Sequence, residues 1–102
     1  MDARRCRSYL TIEHRGQIGP ELGALMGESV SGCDVCQQVC PHNEDVPAGD
    51  PELSEPRDVL AALSIDRVRG WSEGDWDAAT RGSAMRRATL EMFIRNARLA
   101  GR

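Results

Sequence analysis

Large apolar groups are scarce in this chain. One Tyr, one Phe and two Trp occur in 102 residues, hydrophobic residues make up 40%, and mean hydropathy is −0.46. A chain of this size has room for one modest core and not for two, and that core is poor in large rings. No apolar run is long enough to span a bilayer, so no membrane partner is expected. No apolar signal segment opens the chain, which argues against a secreted, disulfide-built scaffold and for a soluble, cytoplasmic protein whose thiols stay reduced. Lysine is absent: all 13 basic residues are arginine.

Net charge is only −3, but it is unevenly placed. Residues 1–40 hold four Arg against five acids, residues 41–80 three against ten, and residues 81–102 six against one. A basic end after an acidic middle fits nucleic-acid contact. It fits equally an acidic loop and a basic helix that pair with each other.

Four cysteines are present, and three of them lie within Cys33-Asp34-Val35-Cys36-Gln37-Gln38-Val39-Cys40-Pro41. That spacing matches the last three thiols of the iron-sulfur run Cys-x2-Cys-x2-Cys-x3-Cys-Pro. The first position of the run falls on Val30. A complete thiolate set therefore recruits Cys6, the one other cysteine, or a thiol from outside these residues. In two-cluster ferredoxins the cysteine of the x3-Cys-Pro step ligates the other cluster. By that rule Cys33 and Cys36 share a 4Fe-4S cluster with Cys6, and Cys40 serves a second one. Structural zinc fits less well, since it usually takes two Cys-x2-Cys pairs and only one is present.

The expected architecture is mainly α: a small ferredoxin-type iron-sulfur segment followed by a C-terminal helical region. Residues 1–45 read as the second half of a ferredoxin-type 4Fe-4S domain, 46–56 as a linker and 57–102 as a helical segment. Cys6 comes so early that the start of the chain reads as a cut edge. Ser8 is a candidate N-cap for about two turns closed by Gly16, and Pro20 suits the first turn of a short helix ended by Gly27. Gly32 is free to take an unusual backbone angle beside Cys33. One or two turns follow from Asp34 to Val39.

Residues 41–56 hold four of the five prolines and many acids, which marks a loop. A helical pattern resumes over Arg57–Ile65, with Val59, Leu60 and Leu63 on one side. Trp71 and Trp76 read as core anchors in a turn, with Ser72 or Asp75 able to cap the next helix. The last helix is expected from Ser83 to Ala100, with Met85, Ala88, Met92, Phe93, Asn96, Leu99 and Ala100 on an apolar arc. Arg87, Arg95, Arg98 and Arg102 gather on the other side with Glu91. Their forked donors suit phosphate oxygens, so Arg87, Arg95 and Arg98 are RNA-contact candidates. The plainer alternative is a solvated face in which Glu91 pairs with Arg87 or Arg95. His42 reads as a surface-loop residue, and no residue is assigned a catalytic role.

Asp2-Ala3-Arg4-Arg5-Cys6-Arg7-Ser8-Tyr9-Leu10-Thr11-Ile12-Glu13 and Gly32-Cys33-Asp34-Val35-Cys36-Gln37-Gln38-Val39-Cys40-Pro41-His42-Asn43 together resemble the C-terminal part of the epoxyqueuosine reductase family. Gly82-Ser83-Ala84-Met85-Arg86-Arg87 and Arg95-Asn96-Ala97 resemble that family's closing helical segment. Ser31 and His42 depart from the family pattern, which usually has a bulky apolar residue and a tryptophan there. The resemblance implies an oxidoreductase of queuosine biosynthesis that reduces epoxyqueuosine in tRNA, with electrons passed through 4Fe-4S clusters to cobalamin. It also implies that the cobalamin-binding domain and a first cysteine run belong to an upstream reductase portion, which would be a partner of this chain alongside tRNA and an electron donor. Two other readings are kept: a free-standing single-cluster ferredoxin-like electron carrier, in which Cys40 completes the set, and a zinc-stabilised RNA-binding module.

Overall fold

A computed structural model of the chain describes residues 2–55, 58 and 63–101. Every regular element among them is helical, as the sequence implies, and no strand occurs among the described residues. In chain order they are a 3-10 turn at Ala3–Arg5, a π-helical turn at Tyr9–Glu13, α1 (Pro20–Gly23), α2 (Val35–Gln38), a 3-10 turn at Pro41–Asn43, α3 (Pro51–Ser54), α4 (Ile65–Arg69), α5 (Glu73–Thr80), a 3-10 turn at Ala84–Arg87 and α6 (Leu90–Leu99). Of the helical pattern expected over Arg57–Ile65, Arg57, Val59, Leu60 and Ala62 lie outside the described residues, as does Arg102.

The core collects around α6. Met92, Phe93 and Ala97 of α6 pack with Val68 of α4, Ala79 of α5, and Trp71 and Ala88 from the connections. The Trp71 and Phe93 rings meet at 5.3 Å between centroids. Trp76 packs at the edge of this cluster and donates its indole N–H to Ala88 O at 3.1 Å. Both indoles are core anchors, as expected, and an indole that is mostly buried finds a partner for its one donor. Val30, from the stretch just before Cys33, packs on the same cluster.

Local chemistry explains where the helices start. Ser72 Oγ accepts the Asp75 N–H while the Asp75 carboxylate accepts the Ser72 N–H, a capping box that uses both of the expected cap residues. Ser64 Oγ accepts the Arg67 N–H at 3.3 Å, so Ile65 opens α4 instead of closing an earlier helix. The helix expected from Ser83 to Ala100 is broken. Ala88 is extended (φ −84, ψ 133), and Thr89 caps α6 by accepting the Met92 N–H at 3.3 Å. A threonine hydroxyl satisfies a first-turn donor that helix interior geometry leaves to others, so the chain restarts there.

The N-terminal half has shorter helices than expected. Pro20 does open α1, but α1 spans one turn. Ser8 makes no side-chain cap; the chain from Tyr9 widens into a π-turn closed by the His14 N–H on Tyr9 O at 2.9 Å. Residues 44–55 are exposed throughout, and the one helix among them, α3, buries none of its residues.

Candidate iron-sulfur centre and arginine face

Two separated segments bring the thiols. Cys6 ends the first 3-10 turn, and its carbonyl accepts the Leu10 N–H at 2.9 Å. Cys33 follows Gly32, which stands at φ +79. The segments are tied directly: the Gly32 N–H donates to Thr11 Oγ1 at 2.9 Å, and Ser8 Oγ donates to Cys33 O at 3.2 Å. Cys36 lies exposed on α2, and Cys40 follows that helix, its carbonyl accepting the Asn43 N–H at 3.0 Å. Asn43 Nδ2 folds back onto Gln37 O at 3.0 Å, which holds the Cys40-Pro41 corner against α2.

All four cysteines are free thiols. As donors they fit an iron-sulfur cluster in kind, since soft thiolates are its usual ligands. Among the described residues, no three Cys, His, Asp or Glu side chains converge into a ready-made metal set. The fold therefore brings the two cysteine-bearing backbones together without closing a ligand cage. His42 is exposed on the Pro41–Asn43 turn.

The three arginines of the basic end singled out as RNA-contact candidates, Arg87, Arg95 and Arg98, take three different roles. Arg87 makes a two-pronged pair with Glu13, Nη2 to Oε2 at 2.8 Å with Nε on Oε1, so its carboxylate partner is Glu13 and not the expected Glu91. Those hydrogen bonds hold the Glu13 carboxyl below its ordinary range and push the Arg87 guanidinium above its own. Arg95 is half-buried and turned inward. Its Nη1 reaches His14 O (2.8 Å) and Gly16 O (2.7 Å), its Nη2 reaches Leu10 O (2.7 Å) and Asn96 Oδ1 (2.8 Å), and its Nε reaches Asn96 Oδ1 (3.0 Å). Burial, with Arg15 close by, lowers its pKa from the ordinary value. Arg98 is exposed, on the rim of a groove of about 690 Å³ that Arg15, Gln17, Ile18 and Leu99 also line.

Sequence reasoning missed Ser8, Thr11 and Asn96 as organising residues. Asn96 is fully buried, and its Nδ2 donates to Thr11 O at 2.9 Å and Val30 O at 2.8 Å. The signal was an amide set in an otherwise apolar arc, which demands partners because a buried polar group without them is costly. Among the described residues no buried side-chain nitrogen or oxygen lacks one.

Residues 1–43, which include all four cysteines, match a family described as a 4Fe-4S double cluster binding domain. The chain is 42% identical over 100 residues to the epoxyqueuosine reductase of Francisella cf. novicida (strain Fx1), covering 98% of this chain and 28% of that protein. It is 45% identical over 97 residues to the epoxyqueuosine reductase of Pseudomonas aeruginosa (94% and 27%) and 43% identical over 100 residues to that of Escherichia coli (strain K12) (98% and 26%). The chain thus spans just over a quarter of the length of these curated relatives. No solved structure matches it significantly. No helix among the described residues is long and apolar enough to cross a membrane. Since the likeness runs through nearly the whole chain, cysteine segments and closing helix alike, the protein belongs to the epoxyqueuosine reductase family and carries a 4Fe-4S binding segment at its N-terminal end.

Proposed function

We propose that the chain supplies part of the electron path of an epoxyqueuosine reductase, the cytoplasmic enzyme that converts epoxyqueuosine to queuosine in tRNA. Cys6, Cys33 and Cys36 hold one 4Fe-4S cluster and Cys40 serves a second. Two cubanes need about eight thiolates, so the remaining ligands, like the cobalamin that receives the electrons, come from reductase sequence outside these 102 residues. When bound, the clusters supply one-electron storage. Residues 1–45 act as half of a ferredoxin-type domain, 46–56 as a linker, and 57–102 as the helical segment that backs it.

The observation that carries this reading is a pair of hydrogen bonds, Gly32 N–H donating to Thr11 Oγ1 and Ser8 Oγ donating to Cys33 O, which join the Cys6 segment to the Cys33 segment. A zinc knuckle or a lone Cys-x2-Cys loop needs no such tie across 25 residues. Arg87 and Arg98, both exposed, are the proposed contacts to the tRNA backbone. Arg95 is set aside for that role, because all five of its N–H donors are directed at protein oxygens.

Anaerobic reconstitution followed by iron and sulfide analysis tests the proposal. The chain alone binds iron and sulfide below a full cluster, and Cys6→Ser, Cys33→Ser and Cys36→Ser each remove most of it while Cys40→Ser removes little. A stable complement of about four irons that depends on Cys40 as strongly as on Cys33 would instead assign a free-standing single-cluster carrier. Zinc bound in place of iron would overturn both.

A further inference from the structure

Asn96 sits at the crossing point of the two cysteine-bearing segments. Its carboxamide is fully buried on α6, 56 positions after Cys40. One Nδ2 proton goes to Thr11 O, five residues past Cys6, and the other to Val30 O, three residues before Cys33. Only the nitrogen end of the amide can donate to two carbonyls, so the orientation is fixed by its surroundings. The oxygen end accepts twice from Arg95. Arg95 in turn gathers Leu10 O, His14 O and Gly16 O, carbonyls of the π-turn and its exit. Helix ends leave such carbonyls without partners, so a forked cation that collects three of them favours this backbone path.

We propose that Asn96, oriented by Arg95, is a positioning residue that sets the register between the Cys6 and Cys33 segments before any cluster is bound. The inference rests on the reading of those cysteines as cluster ligands, and it assigns to the C-terminal helix a task at a site from which it supplies no ligand. Thr11 is the shared element. Its carbonyl is held by Asn96 while its hydroxyl accepts the Gly32 N–H, so releasing Asn96 loosens both sides of the joint at once.

The test uses the full chain carrying Asn96→Asp, which keeps shape and the acceptor for Arg95 but faces two carbonyls with oxygen in place of two donors. In the metal-free chain, hydrogen exchange at the Gly32 amide becomes about tenfold faster, the factor expected when a buried hydrogen bond is lost, while amides of α5 and far-UV circular dichroism stay as in the parent. On anaerobic reconstitution the same variant retains about a fifth or less of the parent's iron, and the electron paramagnetic resonance signal of the iron still held broadens. If Asn96→Asp fails to fold, Arg95→Lys is used, which keeps the charge and loses the fork; the same local exchange pattern is expected. Unchanged exchange at Gly32, or a rise spread evenly over the whole chain, overturns the positioning role. Faster local exchange in a chain whose parent binds no iron retains the register role and rejects the cluster reading, so the two failures separate.

Discussion

Gly32 shows what a single residue does beside a ligand. At φ +79 an L side chain is strained, although a Cβ there meets only Ile12 Cδ1, at an ordinary 3.9 Å. Space permits alanine and the backbone angle does not, so Gly32→Ala is expected to lower unfolding free energy by about 1 kcal/mol in urea melts. An unchanged midpoint would mean that the turn relaxes to a negative φ. The Glu13–Arg87 pair is a second residue-scale case. The Glu13 carboxyl lies below its ordinary 4.5 because it accepts two hydrogen bonds from Arg87, with the positive charges of Arg87 and Arg15 adding to them. A depressed folded-state pKa stabilises above the ordinary value, and that contribution is lost as pH falls through the depressed one. The pair is exposed and its effect is small. The melting-temperature gap between the parent and Glu13→Gln should therefore be present at neutral pH and close as the buffer is taken below 4.5; a gap constant with pH would assign it to packing. From the sequence, the freedom of Gly32 was legible, since only glycine takes that angle readily. The Glu13–Arg87 partnership was not: the partners are 74 positions apart, and helical spacing pointed to Glu91 instead.

At the scale of elements, caps decide where helices stand. Ser72 with Asp75 marks the start of α5, and this start was readable as a motif. Thr89 was hidden inside a longer apolar periodicity. Continuous winding from Ser83 treats it as a surface position, whereas its hydroxyl starts α6 and the extended Ala88 turns the chain so that Trp76 can reach the Ala88 carbonyl. Thr89→Ala should cost about 1 kcal/mol and Thr89→Ser much less, measured by thermal melts; equal losses would show that the methyl group and not the cap matters. At its other end α6 is closed by Arg69 of α4, whose Nε and Nη2 donate to Ala97 O at 2.9 Å and Ala100 O at 3.2 Å. The middle of α6 carries the packing. Phe93, 2% exposed against Trp71, is the largest fully packed apolar group among the described residues, and Phe93→Ala should cost about 3–5 kcal/mol, enough to unfold a domain this small.

For the whole molecule, the basic C-terminal end does not act as one surface. Arg95 is an internal strut, Arg87 is paired, and Arg98 stands on an open rim. If tRNA binds here, its affinity should fall with salt, and Arg98→Ala should reduce the slope of log affinity against log salt by about one phosphate contact's worth, while Arg95→Lys should alter iron retention more than the slope. The reverse ranking would place the nucleic-acid contact on Arg95. By itself the sequence determined the helical class, the cysteine spacing and its iron-sulfur chemistry, and the family, because each of these is written in residues close together or in a long run of identities. It also determined which side of the last helix is apolar, since periodicity is local. Only the tertiary structure decided which arginine faces inward, that Asn96 joins the stretches around Thr11 and Val30, and that Cys6 and Cys33 travel on segments tied together through the Thr11 and Ser8 hydroxyls. Those outcomes depend on carbonyls up to 85 positions away, and a buried donor takes whichever acceptors the fold delivers to it.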